Sequence, residues 1–182
     1  MEAAAFKSPR RWHALIGVAV LVLAADQISK SLIVAADPGG GGGLVSVRLV
    51  RNTGASFGIG AGHPVLITLT AAAVVAVAAV WLFRARSRVT ALFLAAVLGG
   101  AAGNLADRLF RSPGFGRGAV VDWIHVAGYP ATFNVADVAI RVGALGAAAA
   151  ALVASSRRRR ATARVPHSPE PGPGRQVADK CS

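Results

Sequence analysis

The chain has 182 residues, 54% of them hydrophobic and only 15% charged, and its mean hydropathy of +0.53 is too apolar for an ordinary soluble domain and points to the membrane. Its formal charge of +12 comes from short basic blocks beside apolar runs, which argues against a nucleic-acid surface and for anchors on anionic lipid. The one cysteine, Cys181, stands beside the C-terminus, which excludes a disulfide framework, a Cys-ligated zinc site and a thiol nucleophile in the core.

Taken in chain order, residues 1–12 carry Lys7, Arg10 and Arg11 and are expected to be a cytoplasmic N-terminus. A first span follows over about 13–36, interrupted by Asp26 and Lys30. Those two residues are one helical turn apart and predict a structural ion pair. The basic start, apolar run and small Ala24 and Ala25 have the outline of a secretory signal. The apolar pattern continues to Val34, so the segment reads as an uncleaved span. Next comes an external segment with five consecutive glycines, Gly39 to Gly43, and then "LVSVRLVRNTGASFGIG". Leu44 to Val50 alternates as a short strand, with Val45, Val47 and Leu49 expected on one face.

The second span covers about 64–83, with Trp81 and Phe83 as interfacial anchors, and Arg84, Arg86 and Arg88 follow it. The third covers about 89–108 and ends in "GGAAGNLADR", whose small residues predict a close-packing surface between helices. "RGAVVDWIHV" in the second external segment is again strand-like, with Trp123 and Tyr129 at the interfacial belt. The fourth span covers about 134–154 and carries Asp137 and Arg141, a spacing at which Arg141 would hold or neutralise Asp137. Residues 155–182, rich in Arg, Pro and Gly, are expected to be a disordered cytoplasmic tail. All three basic blocks belong inside by the positive-inside rule. The fold class is therefore an all-α membrane protein: residues 13–154 form four transmembrane helices with a small β-cradle on the outer face, and both termini are cytoplasmic.

This topology collects the polar residues in one leaflet. Asn104, Asp107 and Arg108 lie at the outer end of the third span, Asn134 and Asp137 at the outer start of the fourth, and Asp122 on the loop between them. Charge at a helix centre costs on the order of 2.5–3.5 kcal/mol on insertion scales, so such residues pair or do chemistry. Two carboxylates brought together share a proton and supply an acid and a base at once. That is aspartic-peptidase chemistry without metal, Ser or Cys. The residues alone leave open which two of Asp107, Asp122 and Asp137 pair. His125 has no HExxH context and no second His nearby, which disfavours zinc. Ser29 and Lys30 are helix neighbours that point apart, and Ser56 lacks a basic partner, which disfavours a Ser/Lys nucleophile. The alternative from another class is a small transporter or proton-relay bundle. It would place its polar residues at the midplane and show repeat symmetry.

Five blocks, in order, now carry a resemblance: "DQISK" (Asp26 to Lys30), "RNTGASFG" (Arg51 to Gly58), "GGAAGNLADR" (Gly99 to Arg108), "VVDWI" (Val120 to Ile124) and "FNVADVAI" (Phe133 to Ile140). Over roughly residues 20 to 145 the chain resembles lipoprotein signal peptidase, the bacterial type II signal peptidase family of intramembrane aspartic peptidases. The resemblance implies a catalytic dyad of Asp122 and Asp137. It implies site-shaping or substrate-binding roles for Asn52, Gly54, Asn104, Asp107, Arg108 and Asn134, and a first-helix pair of Asp26 and Lys30. It implies a monomer in the cytoplasmic membrane with no cofactor, no metal and no nucleic acid. Its partners would be the signal peptides of diacylated prolipoproteins and the membrane lipid. The segment His125 to Thr132 is short for the family, which implies a reduced flap beside the site.

Overall fold

The computed structural model describes residues 9–55, 60 and 62–162. Four long helices, α1 (Pro9–Ala36), α2 (Pro64–Arg84), α3 (Arg88–Phe110) and α4 (Val135–Thr162), are joined by strands β1 (Val45–Asn52), β2 (Val120–Val126) and β3 (Thr132–Phe133). Each helix is long and apolar enough to cross a bilayer. They coincide with the four expected spans and overrun them at the ends: α1 begins at Pro9, and α4 continues to Thr162. Residues 1–8 and 163–182 of the expected terminal segments, and Ser56, lie outside the described residues.

The surface is that of a membrane protein. Large apolar side chains such as Leu21 (70%) and Leu145 (73%) are exposed on helix faces, where lipid is the apolar solvent. The interior belongs to α3. Of its apolar window 44% is buried, against 11–17% for the other three helices, and α1, α2 and α4 all pack on it.

Small residues make that packing possible, because lipid leaves no hydrophobic drive between helices and close contact must supply the attraction. A Cβ on Gly100 would lie 2.7 Å from the carbonyl oxygen of Ala136, and one on Gly103 would lie 2.5 Å from the Asp26 carboxylate. Gly99 faces the backbone of Ala19 in the same way, and Gly143 and Gly146 of α4 seat against Phe93. The glycine run therefore packs as its composition predicts. These contacts also make α3 and α4 antiparallel neighbours. Ser87 caps α3, its hydroxyl accepting from the Thr90 amide.

The strands form one antiparallel sheet in the order β1-β2-β3. The expected alternation of β1 is broken. Val47 pairs with Ile124 and Val50 with Asp122, so β1 carries one extra residue, a β-bulge. Leu49 therefore leaves the face shared by Val45 and Val47. Val45 is itself 63% exposed. The bulge also decides what reaches the site. Without the extra residue Arg51 would share a face with Asp122; with it, Asn52 does.

Candidate active site

The site begins at the first turn of α4. Asn134 precedes the helix, and its Oδ1 accepts the Asp137 amide at 2.9 Å. Asp137 returns the bond, its Oδ2 accepting the Asn134 amide at 3.3 Å. This is a reciprocal capping box, written in "NVAD" with Asn and Asp in place of Ser and Glu. The cap fixes the Asp137 carboxylate at the helix start and leaves the amide end of Asn134 free to reach outward. That amide donates to Asp122 Oδ1 on β2 at 2.6 Å and to Asn104 Oδ1 on α3 at 3.2 Å. Asn104 in turn donates to Asp137 Oδ1 at 3.0 Å. Two carboxylates from two elements are thus joined by two asparagines, in the order Asp122, Asn134, Asn104, Asp137.

The orientation of Asn104 is set from behind. Lys30 is fully buried and has three protons to place. It reaches Asp26 Oδ2 at 2.7 Å, Asp107 Oδ2 at 2.8 Å and Asn104 Oδ1 at 2.9 Å. With that oxygen taken by Lys30 and Asn134, the Asn104 nitrogen must face Asp137. The expected Asp26–Lys30 pair is present and belongs to a larger group. Asp107 also accepts from Arg111 at 2.6 Å, from Gln27 at 3.1 Å and from the Val121 amide at 3.2 Å. Asp26 accepts the Ala136 amide at 2.9 Å. Two acids and two bases cancel in charge, as burial requires. Through the amides the group ties α1 and α3 to β2 and α4.

On the other side, Asn52 donates to Asp122 Oδ2 at 3.1 Å, and its Oδ1 accepts the Gly54 amide at 3.0 Å. The Gly54 carbonyl accepts from Arg108 Nη2 at 2.6 Å. Arg108 is buried, and among the described residues its Nη1 has no partner. A cavity of about 320 Å³ opens over these groups, lined by Asn52, Gly54, Asn104, Arg108, Asp122 and Asp137 with apolar neighbours from α2. Burial, and then the negative charge of Asp137, push the Asp122 carboxyl up to about 6. The donors Asn52 and Asn134 and the charge of Lys30 pull the other way and lose.

Of the predicted site residues, Asp122, Asp137, Asn52, Gly54, Asn104 and Arg108 line the cavity, and Asn134 links its carboxylates. Asp26, Lys30 and Asp107 stand behind it. Arg141 differs from expectation. Its guanidinium lies 5.7 Å above the Phe133 ring. Among the described residues the ion pairs are those of Lys30 with Asp26 and Asp107 and of Arg111 with Asp107, so Arg141, although it lines the same cavity, forms no ion pair with Asp137. Two network members escaped the sequence reading, Gln27 and Arg111. Both left a signal: an amide inside an apolar span, and a cation four residues after Asp107.

The family model described as signal peptidase (SPase) II matches residues 18–153. The lipoprotein signal peptidase of Mycobacterium tuberculosis is 44% identical over 143 residues, covering 75% of this chain and 70% of the relative. That of Rhodococcus jostii is 47% identical over 137 residues, covering 72% and 68%. A bacterial membrane enzyme solved by the in meso method at 2.3 Å resolution has the same fold, with a TM-score of 0.66 at 20% identity, over 85% of this chain and 93% of that one.

Proposed function

The chain belongs to the signal peptidase II family, and from that premise we propose that it removes the signal peptide from diacylglyceryl-modified prolipoproteins by aspartic catalysis, with Asp122 and Asp137 as the dyad. The observation that carries this reading is the amide relay that aims both carboxylates into one cavity. Family membership is that of a peptidase, so the transporter alternative is not favoured.

In this reading a water sits between the carboxyl groups. Asp137, both of whose oxygens already accept hydrogen bonds, takes the proton of the attacking water. Asp122 holds the shared proton and passes it to the carbonyl oxygen as the water oxygen bonds to carbon. Collapse breaks the C–N bond before the lipidated cysteine. The nitrogen leaves as an amine with the proton held by Asp137, one hydroxyl of the intermediate returns its proton to Asp122, and the signal peptide leaves with a new carboxyl group. β1 offers a strand for the extended substrate backbone to lie along. The lipid chains, in the bilayer, add roughly 0.8 kcal/mol of binding per buried methylene, from which preference for the lipidated form follows. The active site faces outward, both termini are cytoplasmic, and the enzyme works as a monomer.

The test is cleavage of a diacylated lipobox peptide beside its unlipidated twin, with and without EDTA. The wild-type protein should cut the lipidated form, insensitive to EDTA, and Asp122→Asn and Asp137→Asn should each be inactive while still folded. Near-normal turnover by either variant refutes the dyad. Loss of cleavage in EDTA refutes a metal-free mechanism.

A further inference from the structure

A second cavity lies away from the site. α2 and α4 both pack on α3 and leave a groove between them of about 580 Å³, within the size range of ligand sites. The groove is a consequence of residue size. The α4 wall is Ala144, Ala147, Ala148 and Ala151, spaced i, i+3, i+4 and i+7, so one smooth stripe faces α2 and nothing on it is long enough to fill the gap. Val77 and Trp81 of α2 form the opposite wall, and Leu94 of α3 lies in the floor.

The end of the groove away from Asp122 is cationic. Arg84 lines it there, and Arg86, Arg88 and Arg157 stand at the same end of the antiparallel helices. The described acids, Asp26, Asp37, Asp107, Asp122 and Asp137, are all elsewhere. The groove therefore asks for an apolar chain with an anionic head. A signal-peptide helix fits this end poorly, because its own basic n-region would meet the arginines.

We propose that this groove seats an anionic phospholipid, one acyl chain against the alanine stripe of α4 and the phosphate on Arg84. The site is independent of the dyad reading. It meets the catalytic cavity only at Thr70 and Val74, which line both. A resident lipid would close that side of the cavity from below.

The test is native mass spectrometry of the full chain with dioleoyl phosphatidylglycerol and dioleoyl phosphatidylcholine, which share their chains and differ in charge. Wild-type protein should retain the glycerol lipid about fivefold better, the effect of one arginine near an anionic surface. Arg84→Gln should erase that preference and Arg84→Lys should keep most of it. Arg86→Gln, beside the groove and outside its lining, should change it little. Ala148→Phe should fill the groove and lower retention of both lipids. Equal retention by the wild type, a preference that survives Arg84→Gln, an equal loss in Arg86→Gln, or unchanged retention in Ala148→Phe would each overturn the proposal. So would displacement of the glycerol lipid by a dipalmitoylglyceryl-cysteine peptide, which would give the groove to the substrate's own chains.

Discussion

Asp122 is 3% exposed and lies in reach of a second carboxylate, so its ionisation opposes folding. Its carboxyl rises from 3.8 to about 6, which sets the sign of two pH effects. For stability, the folded state holds the proton more tightly than the unfolded state. The contribution is complete below the unfolded value and is lost as pH rises through about 6. Asp122→Asn should therefore raise the melting temperature at pH 8, by a gain of up to about 3 kcal/mol, and the gain should shrink toward zero near pH 4. Equal gains at both pH values would place the effect in packing and not in charge. For activity, turnover by the proposed dyad should fall on the alkaline side as the shared proton leaves, read as kcat of the wild type against pH. Asn134 separates two functions in one side chain, the α4 cap and the donor to Asp122. Asn134→Ser keeps a capping oxygen and loses the reach. Stability should change by less than about 1 kcal/mol, whereas kcat should fall about 100-fold, a loss typical of removing a positioning or acid–base contact. A matched loss of stability and activity would reduce Asn134 to a cap.

Between elements, α3 decides the architecture because the other three helices all pack on it and its small residues let them approach. Gly99 meets α1 and Gly100 meets α4 at distances that leave no room for a methyl group. Gly99→Ala and Gly100→Ala should each destabilise by about 1–3 kcal/mol, the usual cost of overpacking, in a detergent unfolding assay. Gly17→Ala is the control, because a Cβ there meets nothing within 4 Å, and it should be neutral. The helices were legible in the sequence because a long apolar run with a basic end has few other readings. "GGAAG" was legible as a packing face because lipid selects for close approach. The face of β1 was not legible. One extra residue inverts every side chain beyond it, and the alternation up to Val50 gives no sign of the bulge. The capping box was in plain view in "NVAD", yet what its free amide touches depends on β2, which arrives from a different part of the chain. Arg141 shows the limit of i,i+4 reasoning. The spacing permits a pair with Asp137, but the Phe133 ring, brought in by β3, competes for the guanidinium.

Across the whole molecule, charge is sorted by height. Arg84, Arg86, Arg88 and Arg157 stand at the end formed by the α2–α3 turn and the last turns of α4, where no described carboxylate lies, whereas the carboxylates of the site stand at the opposite end, near the sheet, with Arg108 and Arg111 beside them. A bilayer reads that asymmetry through the positive-inside rule, so the cavity faces out only if the basic end faces in. The four-charge group of Asp26, Lys30, Asp107 and Arg111, buried except at Arg111, supports this division, since its neutrality lets the site end sit partly in the membrane without a net charge to solvate. Orientation is therefore a prediction with a direct measurement. In a Cys181→Ser background, Gly40→Cys marks the segment before β1 and Arg86→Cys marks the α2–α3 turn. A membrane-impermeant maleimide applied to intact cells should modify Gly40→Cys and spare Arg86→Cys until the membrane is opened with detergent. The reverse pattern would turn the cavity toward the cytoplasm. A substrate whose cleavage site has already been exported could not then reach Asp122 and Asp137, whatever their chemistry.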